Sequence, residues 1–389
     1  MPPPPPYAPF DAPIGRVVEP SPEPESRWPW RLTALAFVSG LAGALVALGL
    51  VALLDDGDDV VSGPPQTVVE RVETQIVTPE STGTQAAAVA QRVLPSIVTV
   101  EISESSSGQF VADGSGSGVV YDTSGFLFTN EHVVEGAERV QVVFAEGTTY
   151  DAEIVGADPL TDLAILRIDA LGLTAVEIGA TSTLNIGDTA IAIGNPLGLQ
   201  GGPSVTVGVV SAVDRRVRTA PDSELFGMLQ TDAPITRGSS GGALVDDEGR
   251  LIGITTAIGV SDVGAEGLGF AIPIELVLRI TEDIVDDGQV SHAFLGITGS
   301  TFFADIANGA RAPAGVVVAS VLDDSAADAA GLVPGDVITS FDGSPVTTME
   351  RLVSNLRFYR VGDSVDFTLQ RNGADIQVPI VLLERPSDV

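Results

Sequence analysis

The stretch Gly238-Ser239-Ser240-Gly241-Gly242-Ala243-Leu244-Val245, "GSSGGALV", runs five residues with almost no side chain straight into an apolar segment. Such a run suits a solvated Gly/Ser linker. It equally suits a turn whose backbone must come very close to another group, because a residue without Cβ takes conformations and approaches that others do not. The residues on either side decide between the two.

From Ser96 onward, apolar residues recur with period two. "SIVTVEIS", "SGVVYD", "FLFT", "VQVVF", "YDAEIVG", "LAILRID", "TAIAIG" and "VTVGVVSAV" are short alternating runs, punctuated by turn signals at Asp122–Gly125, Glu146-Gly147 and Asp246–Gly249. One clear helix is expected before residue 290, opening at Pro273 with "PIELVLRITEDIV". Many short strands over about 190 residues predict an all-β sandwich or a pair of barrels.

Within this body lie a histidine, an aspartate and a serine, in that order. His132 sits in "FTNEHVVEG", just after an apolar strand. Asp162 sits in "DPLTDLAILRID" at the start of a buried strand, where a carboxylate is costly unless a hydrogen-bonded partner receives it. Ser240 lies inside the opening stretch. Serine is a poor nucleophile until a neutral imidazole takes its proton, and a carboxylate fixes that imidazole's tautomer. The glycines then have a purpose: backbone N–H groups of Gly238 and Ser240, with Ser239, are candidates for an oxyanion hole. The other histidine, His292, has no such company and reads as a hinge or rim residue.

"TNEHVV", "DPLTDLAILRI", "GNPLG", "TDAPITRGSSGGALVD" and "GLGFAIP", in this order, resemble the HtrA/Deg serine proteases over roughly residues 88–385. The resemblance implies a mainly β fold: a chymotrypsin-like double β-barrel protease domain followed by an α+β PDZ domain. It also implies a homotrimer built through the protease domains, a resting oxyanion loop that ordering switches on, and no cofactor or metal. The sequence departs from the family pattern at Ser239, where Asn is usual, at Ala243, where Pro is usual, and over Pro234–Arg237. The position six before the serine, Pro234, falls near the base of the S1 pocket in this fold class and carries no acid. With Gly269, Phe270 and Ala271 of the apolar "GLGFAIP" strand it implies a small aliphatic P1 residue.

"GVVVASVLDDSAADAAGLVPGDVITSFDG" resembles a PDZ domain. "FLGI", Phe294, Leu295, Gly296 and Ile297, matches that family's carboxylate-binding loop, which holds a peptide C-terminus while the peptide adds a strand. The helix near Thr348, "MERLVSNLRF", is expected to form the other wall.

Composition bounds the remaining questions. There is no Cys, so no thiol chemistry and no disulfide. All 19 basic residues are Arg, which excludes catalytic lysine. A net charge of −33 repels nucleic acid. Leu32–Leu54 contains no charged residue and as a helix reaches about 34 Å, enough for a bilayer core. Arg16, Arg27 and Arg31 precede it, and Asp55, Asp56, Asp58 and Asp59 follow, so the N-terminus is expected in the cytoplasm and the body outside. The expected organisation is a disordered Pro-rich tail (1–31), a transmembrane helix (32–54), an acidic linker (55–88), the protease domain (89–288) and the PDZ domain (289–389). The function expected is a membrane-tethered, ATP-independent serine endopeptidase cutting unfolded or damaged extracytoplasmic proteins. The alternatives are a peptide-binding chaperone or scaffold with minor proteolysis, and a signalling protease with one membrane-protein substrate.

Overall fold

The structure, a computed structural model, describes residues 84–195, 202–220, 223–256 and 268–386. The expected tail and membrane span, and all but the end of the acidic linker, lie outside the described residues. Among the described residues no helix is long and apolar enough to cross a membrane.

The chain enters with a helix, α1 (Gln85–Val93). Thr84 caps it, its side chain accepting from the Ala87 amide, and Val89 and Val93 bury against the barrel core. This ordered turn of chain begins inside the stretch read as linker. The signal was the Ala-rich "QAAAVAQRV", a strong helix former set in a Pro/Ser/Thr-rich neighbourhood.

Six antiparallel strands then close a barrel in the order β1-β2-β3-β6-β5-β4. They are β1 (Ile97–Ser103), β2 (Gly114–Val120), β3 (Phe126–Thr129), β4 (Arg139–Val143), β5 (Thr149–Asp158) and β6 (Leu163–Ile168). A one-turn helix, α2 (Glu131–Val134), follows β3. The second sheet comprises β7 (Glu177–Ile178), β8 (Thr189–Gly194), β9 (Ser204–Ala220), β10 (Ser223–Thr231), β11 (Ala243–Val245), β12 (Arg250–Thr256) and β13 (Gly269–Pro273). Its order is β11-β8-β9-β10-β13-β12-β7, and β11 also pairs with β12, which closes the circuit. The expected pair of β-barrels is therefore present.

β9 runs well past the apolar "VTVGVVSAV" into "DRRVRTA". Pairing with β10 carries it there: Arg216 and Arg218 both bond Glu224, and Arg215 bonds Gln230. Tertiary pairing overrides a polar pattern that read as a strand end.

Helix α3 (Ile274–Asp287) ends at Gly288, whose φ of 73° supplies the left-handed cap. Val277, Ile280 and Ile284 recur on one face and bury in the barrel core. The C-terminal domain has its own core around Phe341, Phe367, Val316 and Leu369. Its sheet is β15 (Ile297–Asp305), β16 (Arg311–Val321), β17 (Val337–Phe341), β19 (Ser364–Arg371) and β20 (Ala374–Val381), in that order. A short β18 (Ser344–Pro345) pairs with β17, and β14 (Ala293–Phe294) pairs with β21 (Leu383–Glu384). Two helices complete it, α4 (Ala326–Ala329) and α5 (Met349–Leu356).

The C-terminal domain docks on the second barrel through α5. Arg351 pairs with Asp214 at 3.1 Å and Arg216 with Glu350 at 3.4 Å. Arg360 reaches back to Glu282 and Asp283 on α3.

Candidate active site and peptide groove

His132 lies on α2, Asp162 on the turn between β5 and β6, and Ser240 on the turn before β11. The first barrel supplies the histidine and aspartate, and the second supplies the serine.

His132 Nδ1 is 2.8 Å from Asp162 Oδ1, and the His132 amide donates to the same oxygen at 3.2 Å. The other carboxylate oxygen of Asp162 accepts from the buried Thr256 hydroxyl. The Asp162 carbonyl accepts from Asn130 Nδ2 at 2.8 Å and from the Glu131 amide. Both oxygens of a carboxylate whose side chain is 10 % exposed are thus satisfied, as burial demands. Burial by itself disfavours protonated His132, but the hydrogen bond and charge of Asp162, aided by Glu131 and Glu135, outweigh it and raise the histidine pKa above its ordinary value.

The Ser240 turn is pressed against the histidine-bearing turn. The Ser240 carbonyl accepts from the Ser117 amide at 2.8 Å. Gly241 has φ 83°, and a Cβ there would stand 2.1 Å from the Ser117 carbonyl oxygen and 2.5 Å from Thr129 Oγ1. The opening stretch is therefore a close-approach turn and not a linker. Among the described residues Ser240 Oγ makes no hydrogen bond, so the hydroxyl is left for incoming substrate and His132.

Gly238, at φ 88°, is another glycine the turn requires. The amides of Gly238 and Ser240 donate to no protein group among the described residues, as an oxyanion hole needs. Ser239 does not join them, because its amide donates to the Thr236 carbonyl at 2.9 Å. Two hydroxyls fix the turn from behind. Ser117 Oγ donates to the Gly238 carbonyl at 2.6 Å while accepting from the Asn195 amide at 2.8 Å, and Thr255 Oγ1 donates to the Ser239 carbonyl at 2.6 Å.

Among the described residues the four expected around S1 take different environments. Phe270 and Ala271 are neighbours on β13 and face opposite sides, Phe270 toward one core cluster and the fully buried Ala271 toward another. Gly269 packs on Ile235, where a Cβ would stand 2.7 Å from Ile235 Cδ1. Pro234 instead lines a small cavity of about 60 Å3 behind the oxyanion turn, with Gly194, Thr206, Thr236, Ser239 and Thr255.

Phe294, Leu295, Gly296 and Ile297 do converge. All four line a cavity of about 240 Å3, whose other wall is Met349, Leu352, Val353 and Leu356 of α5. The amides of Leu295 and Gly296 donate to no protein group among the described residues. One face of this groove comes from the other domain, since Phe226 of β10 lines it too.

His292 is buried, contrary to the hinge or rim position expected. Its Nε2 lies 2.9 Å from Asp158 Oδ1 and its Nδ1 3.2 Å from Arg357 Nη1. A guanidinium only donates, so Nδ1 accepts and the ring proton sits on Nε2, donated to Asp158. Burial works against the Asp158 charge, but hydrogen bonds from His292, Thr161 and the Leu160 amide hold its pKa below the usual carboxylate range.

Comparison with known proteins agrees with this geometry. A trypsin-like peptidase domain matches residues 116–254 and a PDZ domain matches residues 281–382. The chain is 35 % identical over 320 residues to the periplasmic pH-dependent serine endoprotease DegQ of Escherichia coli, covering 76 % of this chain and 70 % of that one. It is 41 % identical over 271 residues to the periplasmic serine endoprotease DegP of the same organism, covering 69 % of this chain and 56 % of the relative. It thus spans a little over half the length of the DegP proteins it matches. A solved structure of the HtrA-type protease AlgW with tripeptide superposes with a TM-score of 0.64 at 36 % identity, covering 77 % of this chain and 97 % of that one. Two β-barrels with histidine, aspartate and serine on the turns between them, followed by a PDZ domain, define a trypsin-like peptidase coupled to a peptide-binding module. The chain belongs to the HtrA/Deg family of serine endoproteases.

Proposed function

We propose that the protein is an ATP-independent serine endopeptidase in which Ser240 is the nucleophile, His132 the general base and Asp162 its orienting carboxylate. The observation that carries this is the His132–Asp162 hydrogen bond beside a serine turn with two unengaged amides. Asp162 Oδ1 holds the Nδ1 proton of His132, which leaves Nε2 unprotonated and basic. Substrate brings its carbonyl carbon to Ser240 Oγ, and Nε2 takes the hydroxyl proton as the bond forms. The developing oxyanion is received by the Gly238 and Ser240 amides. His132 then returns the proton to the leaving amine as the C–N bond breaks and Ser240 is left acylated. Water, deprotonated by Nε2, attacks the acyl carbon, and the proton goes back to Ser240 Oγ as the ester bond breaks. Pro234, with no acid at its position, supports cleavage after small aliphatic residues such as Val, Ala or Leu.

The substrates proposed are unfolded or damaged proteins, delivered by their C-termini to the PDZ groove. Leu32–Leu54, flanked by arginines before and aspartates after, supports a single membrane anchor that holds the catalytic body outside the cytoplasmic membrane. The family resemblance supports a homotrimer. The test of the activity is casein digestion by the purified protein against its Ser240→Ala variant. Digestion by the first alone is the expected result, and equal digestion by both overturns the assignment.

A further inference from the structure

We infer that Arg357, at the C-terminal end of α5, receives the terminal carboxylate of the captured peptide, and that Phe226 of the protease domain forms a wall for its last side chain. The PDZ groove is then complete only when the two domains are docked. This deepens the groove reading above and rests on it.

The groove is apolar except at one end. Its charged lining residues are Arg357 and Arg385, both cations, in a chain whose net charge is −33. Arg357 makes no ion pair among the described residues, and its one side-chain partner is the Nδ1 of His292. A third guanidinium, Arg279, is buried nearby; its Nη2 pairs with Asp283 at 3.2 Å and donates to the Ser291 carbonyl, while Nε and Nη1 lack hydrogen-bond partners. Burial pushes the Arg357 pKa down to about 10. The Asp158 charge opposes this, while Arg385 and Arg279 add to it. A half-buried guanidinium with no carboxylate bonded to it is a ready donor to an incoming anion.

The position fits the end of a peptide. A strand added along β15 terminates at the Phe294–Gly296 loop, where the Leu295 and Gly296 amides are unengaged. Arg357 is held at that loop by His292, two residues before Phe294. Two loop amides and a guanidinium then surround one carboxylate.

Phe226 gives the groove its dependence on docking. Its ring lies beside Arg216, whose guanidinium carbon is 5.9 Å from the ring centroid, and Arg216 also pairs with Glu350 of α5. Phe226 and Arg357 together also line a narrow gap against Leu160 and Thr161, on the turn that carries Asp162. The wall of the groove is therefore anchored in the catalytic domain.

The experiment uses the full chain carrying Ser240→Ala, so that peptide is not cut. A fluorescein-labelled heptapeptide ending in Val is offered with a free carboxylate and, separately, as its C-terminal amide, and binding is read by fluorescence anisotropy. The parent is expected to prefer the acid. Arg357→Gln should weaken acid binding about tenfold, the loss expected for a charge-assisted hydrogen bond, with little change for the amide. Arg357→Lys keeps the cation and should retain most of the preference. Phe226→Ala should weaken acid and amide alike, by several-fold. If Arg357→Gln keeps the full acid preference, the loop amides act alone; if Arg357→Lys loses it as completely as Gln does, the side chain shapes the groove and its charge does not read the carboxylate. Either result overturns the inference while the groove reading stands. Unchanged affinities in Phe226→Ala overturn the composite wall. If the parent binds neither peptide, the groove reading and the inference fall together.

Discussion

Asp162 occupies the left-handed region at φ 59°, a conformation that costs an ordinary residue about 1 kcal/mol or more. It persists because all three oxygens of the residue are engaged: Oδ1 with His132, Oδ2 with Thr256, and the carbonyl with Asn130 and Glu131. The three candidates were legible in the sequence because each is a chemically distinctive residue in a distinctive setting. Thr256 and Ser117 were not, because a hydroxyl's role depends on which distant strand it meets. Ser117 did leave one trace, its alternation with glycines in "GSGSG". Ser240→Ala and His132→Ala should each lower kcat by about a million-fold, and Asp162→Asn by about ten-thousand-fold, in steady-state peptide hydrolysis. The pH dependence carries a sign. His132 must be neutral to act, and Asp162 raises its pKa, so hydrolysis should fall as pH drops through a value above the ordinary histidine pKa of about 6.5. A kcat/KM profile that is flat from pH 5 to 8 would contradict a histidine base.

Among the elements, the serine turn is held in shape by others. The Asn195 amide donates to Ser117 on β2, and Ser117 donates to the Gly238 carbonyl, which fixes the turn at the residue whose own amide is one of the two candidate oxyanion donors. Ser117→Ala should therefore lower kcat by about a hundred-fold, close to the loss of one oxyanion donor, while KM changes little. An effect on KM alone would mean that Ser117 shapes binding and not the transition state. Most strands were readable from period-two patterning, and α3 from its 3.6-residue face and its glycine cap. The end of β9 was not readable, since Arg215, Arg216 and Arg218 read as a polar strand end and only the partners on β10 make them strand. The environments of the S1 candidates were not readable for a related reason: sequence proximity on β13 says nothing of which face each side chain takes.

At the scale of the whole molecule, the catalytic and peptide-binding domains meet over a chain of polar groups, the buried Asp158 and His292 and the half-buried Arg357. His292 was unreadable because its partner is 134 residues away. Removing it by His292→Ala should cost about 2 kcal/mol in chemical denaturation, the scale of a buried hydrogen bond to a charge. Asp158 sets a pH limit. Its folded pKa lies below the ordinary value of about 4, so its contribution is present above that value and is lost as pH falls through the depressed one. Thermal unfolding should therefore become acid-sensitive below about pH 4, and Asp158→Asn should flatten that limb. The central claim is that one serine, activated by His132, performs the chemistry. Reaction of the full chain with a fluorophosphonate, followed by peptide mapping by mass spectrometry, tests it most directly. The adduct should appear on Ser240 and disappear in His132→Ala; an adduct on another residue, or none from a preparation that digests casein, would contradict the account.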